Sequence, residues 1–229
     1  ICDKNLLKTA ILNFKPDIVV HFAAESHVDR SIDSPIEFVN TNIIGTVNLL
    51  TVFKEYLKQE NNSARLIHIS TDEVYGSLGM DGAFNESSPF KPNSPYAASK
   101  ACSDLMVRSW IKTYNFPAII THCSNNYGPY QFPEKLIPLM IMNCLNDKAL
   151  PIYGNGENIR DWLFVEDHCR ALSLIIQDGT IGETYNIGGS NEVSNKDIVL
   201  KICSIMDKIK PRSNSSSYKE LITYVKDRP

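Results

Sequence analysis

The stretch Arg65-Leu-Ile-His-Ile-Ser-Thr71-Asp72-Glu73 decides the fold. Its first six residues are mainly apolar and β-branched, which is typical of a strand buried on both faces. The runs Asp17-Ile-Val-Val-His-Phe22 and Ala118-Ile-Ile-Thr-His-Cys123 have the same character. Long helices are predicted between these runs, over about 34–58 and 95–114. The alternation of strands and helices predicts an α/β fold with a doubly wound parallel sheet.

The chain beyond residue 128 has a different pattern, because Gly and Pro break it into shorter elements. We expect three helices there, near 134–146, 166–177 and 194–208. We also expect three short strands, near 150–153, 183–187 and 222–225. Two domains are therefore predicted: a Rossmann-type sheet domain over residues 1–128 and a smaller α+β lobe over residues 129–229.

Composition excludes several classes of protein. The 229 residues are 43% apolar and 21% charged, which is enough for a buried core and excludes disorder. The net charge of −3 leaves no basic field for nucleic acid or an anionic membrane. No signal peptide and no apolar run of about 18 residues stands out, which predicts neither export nor membrane insertion. Six scattered cysteines without zinc spacing predict buried free thiols, no metal site and a cytoplasmic location.

Three short segments follow the predicted strands, at the edge where a doubly wound sheet binds its ligands. They are Ala23 to Ser26, Thr71-Asp72-Glu73 and Ser124-Asn125-Asn126. Two adjacent carboxylates, Asp72 and Glu73, could act as acid and base if their surroundings differ. The alternative is a solvated turn, which the apolar residues Val74 and Tyr75 disfavour.

Tyr96 and Lys100 are four residues apart on a predicted helix, so they share one face with their Cβ atoms about 5–6 Å apart. An ammonium near a phenol lowers its pKa, and Tyr96 would then accept a hydroxyl proton near neutral pH. The alternative is an ordinary amphipathic pair on a solvated helix face.

Amides and a guanidinium supply binding groups in the second half. Asn125 and Asn126 suit hydroxyls and a carboxamide, although Asn-rich turns are also common. Pro151 to Tyr153, followed by glycines and Arg160, suit the binding of a nucleotide base and a diphosphate. The Gly-x-Gly-x-x-Gly dinucleotide motif does not occur in these 229 residues.

Six blocks, in order, carry a resemblance to a known family: HFAAESHVDRSI, STDEVYG, SPYAASKACSD, CSNNYGPYQFPEKLIPL, LPIYGNGENIRDWLFVEDH and ETYNIGG. The chain resembles the dTDP-glucose 4,6-dehydratases, which are extended short-chain dehydrogenases. The resemblance runs over nearly all of the chain. It implies conversion of dTDP-glucose to dTDP-4-keto-6-deoxyglucose and water, with tightly held NAD, in deoxysugar or rhamnose biosynthesis.

The resemblance also implies residue roles. Tyr96 matches the base for the sugar 4-hydroxyl, and Lys100 matches the residue that holds the ribose and lowers the pKa of that tyrosine. Glu73 matches the base for the C5 proton, Asp72 the acid for the departing 6-hydroxyl, and Thr71 a contact to the 4-hydroxyl. The other cofactor positions are Ile1, Phe22, Ala23, Ala24, Glu25, Ser26, Thr41 and Asn126. The substrate positions are Ser26, Thr71, Asn125, Lys135, Leu136, Pro151, Ile152, Tyr153, Arg160, Asn195, Asp227, Arg228 and Pro229.

Family members begin with a Gly-rich strand and turn and continue past the Arg-Pro at 228–229, so the resemblance implies that this chain is a fragment lacking its N-terminal strands. It also implies a homodimer formed by the helices near 34–58 and 94–114. A face buried within one chain would explain the apolar residues of these helices equally well. Two alternatives to the function remain open: the same chemistry on UDP-glucose, and an inactive fragment that acts at most as a binding module.

Overall fold

A computed structural model describes residues 1–59, 63–78 and 82–227. The helices are α1 (Lys4–Phe14), α2 (Val28–Asp33), α3 (Pro35–Phe38), α4 (Gly45–Gln59), α5 (Pro95–Tyr114), α6 (Leu136–Leu145), α7 (Val165–Asp178) and α8 (Asn195–Ile209). The strands are β1 (Ile18–His21), β2 (Arg65–Thr71), β3 (Ala118–Cys123), β4 (Asn125–Tyr127), β5 (Leu150–Tyr153), β6 (Ile159–Phe164), β7 (Thr184–Ile187), β8 (Glu192–Ser194) and β9 (Ile222–Val225).

The chain divides into two compact units. The first unit is Ile1–Cys123 with Arg170–Ile187, and the second is Ser124–Cys169 with Gly188–Pro229. The sequence placed a single boundary at residue 128. The structure differs, because β7 pairs with β3 and so brings residues 170–187 back to the first unit.

The first unit contains a parallel sheet in the order β1-β2-β3-β7. Strand β2 is hydrogen-bonded on both edges, with Leu66 paired to Val19 on one side and to Ala118 on the other. Helices lie between successive strands, which confirms the predicted Rossmann-type architecture. Helix α5 has the predicted bounds, because Pro95 occupies its first turn and the Ser94 hydroxyl caps it at the Ala97 N–H.

The helix expected over 34–58 is interrupted. Residues Val39–Ile44 form a π-helical segment between α3 and α4, and α2 precedes them as a short helix that the sequence did not indicate. By length and composition alone, the run Pro35–Gln59 could cross a membrane, a property that the sequence analysis did not recognise. Leu50, Phe53 and Tyr56 of this run are buried in the core of the first unit, which is typical of a core helix in a globular protein.

The second unit has two small sheets and its own core. Strands β4, β6 and β8 form one sheet, and β5 pairs with β9 in the other. Helices α6 and α8 cover β5 with side chains that include Met140, Val199 and Met206.

Of the six cysteines, all free, only two are buried, so the expectation of buried thiols was wrong for Cys2, Cys102 and Cys169, which are exposed.

A 3-10 turn, Asp72–Tyr75, follows β2 and ends at Gly76. Gly76 has φ +88°, and a Cβ atom there would overlap the carbonyl oxygen of Lys91. Lys91 also donates its backbone N–H to the Val74 carbonyl at 3.0 Å. The close approach of the two chain segments therefore requires glycine at this position.

Replacement of Gly76 by Ala should lower the free energy of unfolding by more than about 2 kcal/mol, because backbone strain and steric overlap add. Gly82 is the matched control: its φ is +106°, but an added Cβ would meet no atom of the described residues within 4 Å. Gly82→Ala should cost only the backbone strain, about 1 kcal/mol. Denaturant unfolding of both variants measures this, and equal losses would contradict the steric argument.

Candidate active site

The turn after β2 carries two carboxylates, Asp72 and Glu73, and is held firmly in place. The Thr71 hydroxyl caps this turn by accepting the Glu73 N–H at 3.3 Å. Val74 and Tyr75 are buried, whereas Asp72 and Glu73 are half-buried. The interpretation as a solvated turn therefore fails in one respect: this is a turn, but its last two residues hold it in the core.

Tyr96 lies beside this turn. Burial raises the pKa of Tyr96, the negative charge of Glu73 adds to the rise, and a hydrogen bond with the Thr71 side chain acts in the opposite direction. We expected Lys100 to lower this pKa. Instead, the Lys100 ammonium, which is 4% exposed, donates to the Ile69 carbonyl at 2.8 Å. Desolvation therefore outweighs the expected charge effect in this structure.

Burial lowers the pKa of Lys100, while the nearby Asp104 carboxylate acts to raise it. The ammonium lies at the carboxyl end of β2, one helical turn from Tyr96. A cation and a phenol in this arrangement are suited to hydroxyl groups of a ribose and a sugar.

The loop after β1 is held by a residue that the sequence analysis missed. Asn42, 1% exposed, accepts the Glu25 N–H at 2.8 Å and donates to the Glu25 carbonyl at 2.9 Å. It also donates to the Ser99 hydroxyl at 2.8 Å, and Ser99 donates to the Tyr96 carbonyl. One amide thus fixes the predicted cofactor loop to the helix of Tyr96. The signal available in the sequence was an Asn placed among the apolar residues of the helix predicted over 34–58.

The remaining predicted cofactor residues of the first unit differ in exposure. Phe22, Ala23 and Ser26 are exposed, and Ile1, Ala24 and Thr41 are half-buried. Ile1 contacts Gly45 closely enough to exclude a Cβ there. Small side chains at 23 and 24 leave the backbone at the end of β1 open to close approach by a ligand, and the cofactor contacts of these residues stay predictions.

In the second unit, Asn126 accepts a hydrogen bond from His168 Nδ1 at 2.9 Å and donates to the Ser124 carbonyl. Burial lowers the pKa of His168, which is consistent with a neutral ring donating through Nδ1. Asn125 pairs with Trp162 in the β4–β6 ladder. Both amides are therefore held by the small sheet of this unit.

The predicted substrate residues of the second unit are spread over several elements. Ile152 is 2% exposed and belongs to the core, whereas Pro151 is half-buried and Tyr153 is exposed on the other face of β5. Arg160 is half-buried and donates to the Ile159 carbonyl. Lys135 and Leu136 begin α6, Asn195 begins α8, and Asp227 lies close to Gly154. Arg228 and Pro229 lie outside the described residues, and the binding roles of this set stay predictions.

Over the described ranges, no cluster of three or more His, Cys, Asp or Glu side chains is arranged to hold a metal ion.

His21, on β1, bonds through Nε2 to the Thr46 hydroxyl at 3.0 Å. Burial, and then the nearby His68 and Lys100 charges, lower the pKa of His21 to about 2. The imidazole is therefore neutral in the folded protein.

The unfolded chain takes up a proton on His21 below about pH 6.5, and the folded protein does not, so acid weakens the fold. The free energy of unfolding should fall by up to about 1.4 kcal/mol per pH unit between pH 6.5 and 4.5 from this residue. His21→Gln should have a shallower slope by that amount, measured by urea unfolding across this range. Thr46→Val, which keeps the histidine, is the control and should retain the slope; an unchanged slope in His21→Gln would refute the assignment.

Comparison with known proteins adds to this geometry. The family model for GDP-mannose 4,6 dehydratase matches residues 1–229. The dTDP-glucose 4,6-dehydratase of Neisseria meningitidis serogroup B is 54% identical over 236 residues, covering 100% of this chain and 66% of that protein. The dTDP-glucose 4,6-dehydratase of Neisseria gonorrhoeae is 52% identical, and the match covers 100% of this chain and 68% of that protein.

A crystal structure of the dTDP-glucose 4,6-dehydratase of Bacillus anthracis in complex with NAD superposes with a TM-score of 0.85 at 46% identity. The match covers 100% of this chain and 66% of that one. The chain thus spans about 66% of the length of the first relatives it matches.

Proposed function

Because the chain belongs to the GDP-mannose 4,6 dehydratase family, with dTDP-glucose 4,6-dehydratases among its relatives, we propose that it carries the reacting groups of such a hydro-lyase. Its substrate would be dTDP-glucose and its product dTDP-4-keto-6-deoxyglucose, a step of deoxysugar biosynthesis. The observation that carries the proposal is the acid–base set of the first unit, in which Thr71 contacts Tyr96 and caps the turn of Asp72 and Glu73.

The proposed cofactor is NAD, which would supply the hydride acceptor and donor at the sugar. The residues of this chain then have three tasks. Tyr96 accepts the proton of the 4-hydroxyl. Burial and the charge of Glu73 raise the pKa of Tyr96, so the charge of Lys100 must lower it enough to form the phenolate. Glu73 removes the C5 proton, which a 4-keto group makes acidic. Asp72 protonates the departing 6-hydroxyl.

The proton balance of this reaction connects two of these residues. O4 loses its proton permanently and O6 leaves with an added one, whereas C5 loses and regains a proton. After one turnover Tyr96 therefore holds an extra proton and Asp72 lacks one. The Thr71 hydroxyl bonds to Tyr96 and lies 3.4 Å from Asp72 Oδ1, so we assign it the return of the proton between them.

Two substitutions separate the proposed steps. Tyr96→Phe should lower kcat by about 10²–10⁴-fold, because it removes the general base for the 4-hydroxyl. Glu73→Gln should permit oxidation but block elimination, so absorbance at 340 nm from reduced nicotinamide should accumulate when dTDP-glucose is added. Rapid-mixing absorbance measures both variants. An active Tyr96→Phe variant, or no accumulation in Glu73→Gln, would remove the residue concerned from its role.

Turnover of dTDP-glucose and UDP-glucose by the native protein tests the choice of nucleotide. We expect dTDP-glucose to react faster, because the relatives named above are dTDP-glucose 4,6-dehydratases, and UDP-glucose is not favoured for the same reason. Equal kcat/KM values for the two would contradict the choice. Absence of turnover on both would favour the alternative of an inactive binding module.

We also propose a homodimer, from the family resemblance, and a cytoplasmic location, from the six scattered cysteines. Leu50 and Val107 of the two long helices are buried within the first unit, so they are not available to a partner, whereas Leu105 is 54% exposed and Val47 is half-buried. Exposed residues such as Leu105 are thus the ones that a dimer contact would use.

A further inference from the structure

A buried carboxylate lies on α5, one turn beyond Lys100, and the reaction described above does not use it. Asp104 is 1% exposed. Its Oδ1 accepts from His68 Nε2 at 3.1 Å, and its Oδ2 accepts from the Ser70 hydroxyl at 2.8 Å. His122 Nε2 also donates to Oδ2, at 3.1 Å. Three side chains therefore converge on one acid.

The protein keeps this acid charged. Burial acts to raise the pKa of Asp104, but the hydrogen bonds from His122 and His68 outweigh it and lower the pKa to about 2. Removing a carboxylate from water costs several kcal/mol, and well-packed apolar residues would often serve stability as well. Packing alone therefore gives no reason for a charge at this position.

The donors show what the charge connects. His68 and Ser70 lie on β2, and Ser70 immediately precedes Thr71. His122 lies on β3, paired directly with Ser70. One turn earlier on α5, Lys100 donates to the Ile69 carbonyl of the same strand. Asp104 and Lys100 thus attach the helix of Tyr96 to the last residues of β2.

A second arm reaches the turn of the carboxylates. His122 Nδ1 lies 2.6 Å from the hydroxyl of Tyr75, the last residue of that turn. The Tyr75 hydroxyl also lies 2.9 Å from Asn186 Oδ1, and Tyr75 is 1% exposed. The chain Asp104–His122–Tyr75 therefore joins α5 to the segment that presents Asp72 and Glu73.

We propose that Asp104 is a positioning residue for the dehydratase reaction: its carboxylate fixes the helix of Tyr96 and Lys100 against the strand and turn of Thr71, Asp72 and Glu73. The inference rests on the proposed function. Displacement of reacting groups by about 1 Å lowers a rate by about 100-fold, so a link outside the reacting set can control both proton-transfer steps.

The test uses the native full-length protein with bound NAD and single turnovers of dTDP-glucose. Asp104→Asn keeps the shape but removes the charge, and it should slow both oxidation and elimination by about 10- to 100-fold, with KM changed less than about 3-fold. Tyr75→Phe cuts only the second arm. It should slow elimination more than oxidation, so absorbance at 340 nm accumulates, and it carries the test if Asp104→Asn does not fold.

Two matched controls separate positioning from stability. Val107→Ala lies on the same helix at a fully buried core position and should lower Tm while leaving both rates within about 2-fold. Tyr56→Phe removes the hydroxyl of another buried tyrosine, which donates to the Pro16 carbonyl at 3.2 Å away from the site, and should behave likewise.

Normal single-turnover rates in folded Asp104→Asn and Tyr75→Phe would overturn the inference while leaving the proposed function intact. Equal slowing by Val107→Ala would also overturn it, because a general loss of stability would then explain the rates. A wild-type protein that does not turn over dTDP-glucose would overturn the proposed function and this inference together.

Discussion

Strand β2 is hydrogen-bonded to parallel strands along both edges, and the rest of the first unit depends on this pairing. A strand paired on both sides has no freedom to shift its register, since a shift of one residue would turn its buried side chains to the opposite face. The end of β2 is therefore a fixed point. Thr71 is the last residue of β2. A small displacement of Thr71 would separate the phenol of Tyr96 from the carboxylates of the turn.

The fold was largely predictable from sequence. Buried parallel strands are short apolar runs, and Pro95 marked the start of α5 to the residue. Helix α2 was missed because its six residues, Val28–Asp33, are mostly polar and show no period. The return of residues 170–187 to the first sheet was also missed, since strand pairing over such a separation leaves no local pattern.

The candidate site was predictable only in part. Adjacent residues in a turn and residues one helical turn apart can be found from spacing, and family resemblance supplied their roles. Asp104, His68 and His122 were not found, because tertiary structure alone brings together residues 36 and 18 positions apart. The shift in the pKa of Tyr96 was expected in the wrong direction, since spacing shows that a lysine is near but not how far the phenol is removed from water.

The π-helical segment Val39–Ile44 makes the length of this region critical. A π-helical turn contains one residue more than an α-helical turn, and such turns often occur at functional sites. Deleting one residue from the segment would restore a continuous α-helix, but it would rotate Asn42 by about 100° relative to α4. The amide would then leave both the Glu25 backbone and Ser99, although no side chain at the site had been replaced. Insertions and deletions in this segment should therefore be tolerated less well than substitutions of its outward-facing residues.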